Sequence, residues 1–122
     1  MKFETIKENE FEYIEAGEGP VVVLLHGLMG DLDNFEGIID DLPNHGFKVV
    51  GPLLPLFEKP MLKTTIKHFT KYVYEFLKFK GFEKVTLLGN SLGGHISLVF
   101  AKEYPEMVES LILTGSSGLY EN

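Results

Sequence analysis

The sequence has 122 residues, of which 44% are hydrophobic and 24% charged, a balance that suits one globular domain able to bury a core and excludes a disordered chain. A formal net charge of −7 argues against nucleic acid as a partner, because a phosphate backbone needs a basic surface. With no cysteine, disulfides, thiolate catalysis and thiolate metal sites are excluded.

No apolar run approaches the roughly 20 residues needed to span a bilayer, so no membrane partner is expected. The opening stretch MKFETIKENE has no apolar segment behind its lysines and does not read as a secretory leader, which makes the cytoplasm the default compartment. There is no internal repeat, low-complexity tract or polar linker, so residues 1–122 are treated as part of one domain. Residues 2–16 predict two short strands joined around Asn9, followed by the turn Gly17-Glu18-Gly19-Pro20. Val21-Val22-Val23-Leu24-Leu25 is a continuous apolar run, the pattern of a strand covered on both faces, and it ends at His26-Gly27. Asp33 is placed to cap a helix with Phe35, Ile38, Ile39 and Leu42 on its apolar side, ended by Gly46. Residues 47–50 predict the next strand, and 51–60, with Pro52, Pro55 and Pro60, predict a loop. A helix over 65–80 carries Ile66, Phe69, Val73, Phe76 and Leu77 on one side and lysines on the other, with Gly81 as its stop. A strand at 85–88, a helix at 92–103 and a strand at 108–114 complete the chain.

Two strands, then strand and helix in alternation, predict an α/β fold: a mostly parallel sheet with helices on both faces. In such sheets ligands bind beyond the carboxyl ends of the strands. His26-Gly27, the loop from Gly51, Ser91 and Gly115 all follow strand ends, so the chemistry is expected there.

One of these junctions reads Gly89-Asn90-Ser91-Leu92-Gly93. The Gly-x-Ser-x-Gly spacing suits a sharp strand-to-helix turn: a strained serine projects its hydroxyl from the sheet edge, and the glycines let strand and helix approach. The helix N-terminus behind it brings partial positive charge to the place where an oxyanion would form. The pattern arises by chance in on the order of one chain in twenty of this length, but here it also sits between an apolar strand and an amphipathic helix.

Together, VVVLLHGLMGDLDNF and VTLLGNSLGGHISLVFAKEYPEMVESLIL resemble the α/β-hydrolase fold superfamily, in its serine-nucleophile branch of small esterases and carbon–carbon bond hydrolases. The resemblance covers nearly the whole chain but only the first part of the fold, about as far as the sixth strand. It implies Ser91 as nucleophile and the backbone N–H groups of Leu28 and Leu92 as the oxyanion hole. It gives His26, Gly27, Gly89, Asn90 and Gly93 site-shaping roles, and implies no metal and no cofactor. His26 is thus expected to shape the oxyanion loop and not to act as base. His95, four residues after Ser91 on the same helix, is expected to be packed or partly exposed, His45 to end a helix, and His68 to lie on a solvated helix face. Leu53, Leu54, Leu56 and Phe57 occupy a loop where the family usually has an acidic residue and a glycine around the proline; they read equally as an acyl-pocket wall or as ordinary loop packing.

In this superfamily the chain order is Ser, acid, His. After Ser91 the sequence offers only His95, and Gly115-Ser116-Ser117-Gly118 holds no acid where some members carry one. The expectation is therefore the N-terminal part of a serine hydrolase acting on a small ester or related acyl substrate, inactive by itself, with its acid and histidine elsewhere. A carbon–carbon hydrolase or an acyltransferase would show the same first half, and a noncatalytic binding or assembly module is the alternative from another class. A carboxylate nucleophile is disfavoured by the serine at the elbow. The strand at 108–114 should have an open apolar edge, predicting self-association or pairing with a C-terminal fragment.

Overall fold

The computed structural model describes residues 5–26, 35–54 and 66–114. In chain order the elements are β1 (Ile6–Glu8), β2 (Phe11–Ala16), β3 (Val21–Leu25), α1 (Glu36–Asp41) with a 3-10 turn (Leu42–His45), β4 (Lys48–Pro52), α2 (Ile66–Lys80), β5 (Val85–Asn90), α3 (Leu92–Glu103), a second 3-10 turn (Pro105–Met107) and β6 (Val108–Thr114). They form one six-stranded sheet in the order β1-β2-β4-β3-β5-β6. β3 runs parallel to β4 and β5, and β5 parallel to β6, while β1–β2 and β2–β4 are antiparallel. This is the mostly parallel sheet the alternation predicts.

Successive side chains of a strand point to opposite faces, and the central strands supply two cores in this way. Val23, Leu25, Val50, Val85 and Leu87 pack with Phe69, Val73, Phe76 and Leu77 of α2 and Ile96 and Phe100 of α3. Val22, Leu24, Val49 and Leu88 pack on the other face with Phe35 and Ile39 beside α1. Helices therefore cover both faces.

Two boundaries differ from expectation. The first helix is α-helical only to Asp41 and tightens into the 3-10 turn at Pro43, which has no N–H to continue the ladder. Gly46, in the left-handed region at φ 88°, then ends it; the anticipated cap, Asp33, lies outside the described residues. β4 also runs on through Gly51 and Pro52, which pair with Ile14 and Tyr13 of β2. The N–H of Leu53 donates to Glu12 O at 2.8 Å, and since N–H groups alternate sides, the nitrogen of Pro52 points away from β2, where no donor is required.

A half-buried ionic network ties the sheet to α2. Glu15 on β2 bonds Lys48 Nζ at 2.9 Å and Lys80 Nζ at 2.6 Å. Lys80 also donates to the hydroxyl of buried Tyr13 at 3.1 Å, and that hydroxyl donates to Glu8 at 2.7 Å. Burial pushes the Glu15 carboxyl up, but the two ammonium groups outweigh it and hold it below its ordinary value. Burial likewise disfavours charged Lys80, yet its bonds to Glu15 and Tyr13 leave it above its ordinary value. Tyr13 is raised, by burial first and then by its bond to the Glu8 carboxylate.

β6 is the outer strand of the sheet among the described residues. Leu111 and Leu113 are half-buried and Ile112 is 47% exposed. Among the described residues no helix is long and apolar enough to cross a membrane.

Candidate active site

β5 passes into α3 through one residue, Ser91, whose backbone sits at φ 57°, ψ −118°. That region is sparsely populated for a residue with a side chain and costs on the order of 1–3 kcal/mol, so the surroundings must impose it. They do so from both sides. The Ser91 N–H donates to Thr114 O of β6 at 3.2 Å, and its carbonyl accepts from Gly94 N–H at 2.9 Å and His95 N–H at 3.2 Å.

The two glycines of the motif have steric reasons. A Cβ on Gly93 would strike the backbone of β3, at the carbonyl group of Leu25 and, at 2.8 Å, the oxygen of His26. α3 thus rests its first turn directly on the end of β3. A Cβ on Gly89 would meet Gly93 O and, at 2.5 Å, Ser97 Oγ. Ser97 is fully buried and donates to that same Gly93 O at 2.8 Å, so its hydroxyl needs no other partner.

Leu92 is the first residue of α3 and half-buried. Helix geometry leaves its N–H without an intrahelical acceptor, at the positive end of the helix dipole. The other expected oxyanion donor, Leu28, lies with Gly27 outside the described residues. Asn90 is half-buried, and its Oδ1 accepts from Thr114 Oγ1 at 3.2 Å, a second link from the elbow to β6.

His26 follows β3 directly and is 4% exposed. Its Nε2 accepts the backbone N–H of Leu54, two residues beyond β4, at 2.9 Å. The ring thus ties the end of β3 to the loop after β4. Leu54 is buried in the core beneath α2 and Leu53 packs towards the opposite core, while Leu56 and Phe57 lie outside the described residues.

The other histidines are dispersed. His95 is exposed on α3; His45 ends the first 3-10 turn with Nδ1 2.9 Å from Asp41 O; His68 is half-buried with its ring beside Phe69, less solvated than its position on α2 suggests. Among the described residues no cluster of His, Cys, Asp or Glu could hold a metal ion. Glu103, Glu106 and Glu109 are exposed. A cleft of about 420 Å³ opens at the carboxyl end of β4, between the β1–β2 turn and Leu53, Leu54 and Tyr72; Ser91 does not line it.

Sequence reasoning missed Thr114, Ser97 and the Leu54 N–H. Only Thr114 carried a signal, as the polar end of an apolar strand at the edge where the elbow must lie.

The chain matches a family model for the alpha/beta hydrolase fold over residues 20–121. It is 53% identical, at a TM-score of 0.90, to an alpha/beta hydrolase enzyme of known structure from the metagenome of sediments from the lagoon of Mar Chica, Morocco, over 97% of this chain and 54% of that one. It is 34% identical over 130 residues to 2-hydroxy-6-oxononadienedioate/2-hydroxy-6-oxononatrienedioate hydrolase of Comamonas testosteroni, covering 97% of this chain and 46% of the relative. It is 35% identical over 115 residues to Lipase 1 of Psychrobacter immobilis, covering 88% of this chain and 36% of the relative. The chain thus spans less than half the length of these curated relatives. On that match, and on a sheet order and elbow that agree with it, the chain belongs to the alpha/beta hydrolase fold family.

Proposed function

We propose that this chain carries the nucleophile of a serine hydrolase acting on a small ester or related acyl substrate. The observation that carries the reading is the backbone of Ser91, held at φ 57°, ψ −118° between the end of β5 and the N-terminus of α3. A strained serine there has no evident structural purpose, and it costs stability.

In the reaction, Ser91 Oγ adds to the acyl carbonyl carbon while its proton passes to a general base. The carbonyl oxygen becomes an oxyanion and accepts hydrogen bonds from the N–H groups of Leu92 and Leu28; losing one such donor typically costs about 10²–10³ in rate. Collapse breaks the carbon–oxygen bond, and the leaving alcohol takes the proton from the base. Water, deprotonated by the same base, then cleaves the acyl-enzyme and frees Ser91. The ring of His26 is engaged with Leu54 and His95 is exposed on α3, so we assign the base and its acid partner to polypeptide outside these 122 residues. The chain's coverage of 36–54% of its relatives supports that assignment. The outer edge of β6 would then take a further strand, from a second copy or from that polypeptide.

Carbon–carbon bond hydrolysis is the second reading, favoured by the 34% identity to the Comamonas hydrolase. The test is labelling of the intact protein with a fluorophosphonate, located by mass spectrometry, beside turnover of p-nitrophenyl esters and of a vinylogous diketone acid. An adduct on Ser91 that vanishes in Ser91→Ala, together with ester turnover, supports the first reading; diketone cleavage alone supports the second. An intact protein that is neither labelled nor active is a noncatalytic module.

A further inference from the structure

At the start of α3 the N–H groups of Leu92 and Gly93 have no acceptor inside the helix, while the Ser91 carbonyl takes those of Gly94 and His95. Two side-chain oxygens stand beside them in sequence, on Ser91 and Asn90. Serine and asparagine are residue types that ordinarily turn back onto such N–H groups. Ser91 nevertheless occupies the cap position without a side-chain cap bond. Asn90 Oδ1 instead accepts the hydroxyl of Thr114 at 3.2 Å. The two residues are the last pair of the β5–β6 register, and the Thr114 carbonyl accepts the Ser91 N–H as well. Thr114 is exposed and Asn90 half-buried, so the bond between their side chains adds little to stability. Its value lies in where it keeps the oxygen.

Resting on the serine-hydrolase reading, we infer that Thr114 is a positioning residue whose hydroxyl holds Asn90 Oδ1 away from the first turn of α3, and so keeps the Leu92 N–H open to the oxyanion. The habitual partner of an asparagine oxygen is the backbone N–H two residues on, which for Asn90 is that of Leu92. An oxygen released from β6 competes for this donor, and the N–H must be won back each time an oxyanion forms. The loss falls on the transition state, where the donor matters most, and not on substrate binding.

The experiment reads kcat and KM for p-nitrophenyl butyrate, with the thermal midpoint, in the intact protein carrying Thr114→Val, Thr114→Ser, Asn90→Ala, or Thr114→Val together with Asn90→Ala. Valine keeps the branched shape that a strand favours and removes only the hydroxyl. The expected result for Thr114→Val is a fall of about tenfold in kcat at unchanged KM, less than a deleted oxyanion donor costs because the oxygen competes for Leu92 without removing it. Its midpoint should stay within about 1 °C of the parent. Thr114→Ser is expected to restore kcat, and Thr114→Val to cost nothing further once Asn90→Ala has taken the oxygen away. A parental kcat in Thr114→Val, an equal loss in the Asn90→Ala background, or a serine variant as slow as the valine one would overturn the inference; should Thr114→Val fail to fold, Thr114→Ala takes its place in the same cycle. Ser91→Ala separates the two readings. Turnover that survives it removes the serine reading, whereas turnover lost there but kept in Thr114→Val removes only this one.

Discussion

Replacing Gly93 by alanine is the sharpest steric test of the elbow. The new methyl would lie 2.8 Å from His26 O and nearer still to the carbonyl group of Leu25. An ordinary carbon contact is about 3.5 Å, so α3 must retreat by roughly 0.7 Å to clear His26 O alone. Both obstacles are backbone atoms of a central strand and cannot swing aside. Overpacking of this kind costs about 1–3 kcal/mol, and with two immovable partners we expect the upper half of that range. At about 4 °C per kcal/mol for a domain of this size, the midpoint of thermal unfolding followed by circular dichroism should fall by roughly 8–12 °C. Ser91 moves with α3, and a displacement near 1 Å can cost about 10² in rate, so fluorophosphonate labelling should slow far more than stability alone explains. Gly37→Ala is the matched control. It sits in α1 with nothing within 4 Å of a new Cβ and should gain about 0.5–1 kcal/mol. A Gly93→Ala protein that melts within about 1 °C of the parent would refute the contact between α3 and the end of β3.

Ser91→Gly should raise stability by up to about 2 kcal/mol in urea unfolding, because glycine adopts φ 57° without strain, and should abolish labelling. Glu15 has a depressed carboxyl pKa, so its contribution to stability is present above the ordinary carboxylate range and is lost as pH falls through the lower folded value; Glu15→Gln should flatten the acid limb of a stability-against-pH curve. Lys80 is raised, so its contribution is full below its ordinary value near 10 and is lost as pH rises through the higher folded one; Lys80→Met should remove that part of the alkaline limb and leave the part due to Tyr13, which burial and Glu8 raise and Lys80 lowers. Ile112→Lys should reduce any concentration-dependent association seen by sedimentation while leaving the unfolding free energy within about 0.5 kcal/mol of the parent, since the side chain is 47% exposed.

What could be read from the sequence and what could not follow a physical line. The α3 helix and β6 were legible to the residue, because the Gly-x-Ser-x-Gly motif marks the start of one and the apolar Leu111-Ile112-Leu113 run marks the other. The double burial of β3 was legible in Val21-Val22-Val23-Leu24-Leu25, which has no polar face to spare. The end of β4 was misjudged because a proline reads as a breaker, whereas Pro52 turns its missing donor to the side where pairing has already stopped. The first helix was overextended because Gly46 reads as its stop, whereas Pro43, three residues earlier, already prevents it from remaining α-helical. At the site, Ser91 and its glycines were legible as a local pattern. The bond from Leu54 to His26 was not, since it joins residues 28 apart through a side-chain nitrogen and leaves no periodicity in either segment. Thr114 showed itself only as the polar end of an apolar strand; that its carbonyl acts on the elbow becomes visible once β6 lies beside β5.

The way Ser91 is held has a consequence for biosynthesis. Its unusual dihedral angles are imposed by Thr114 from one side and by the seating of α3 on Leu25 and His26 from the other. A nascent chain that has left the ribosome only as far as α3 still lacks the first of these supports, so nothing from β6 yet offsets the strain of a positive φ at Ser91. The bend at Ser91 is therefore complete only when three separate stretches of polypeptide have met.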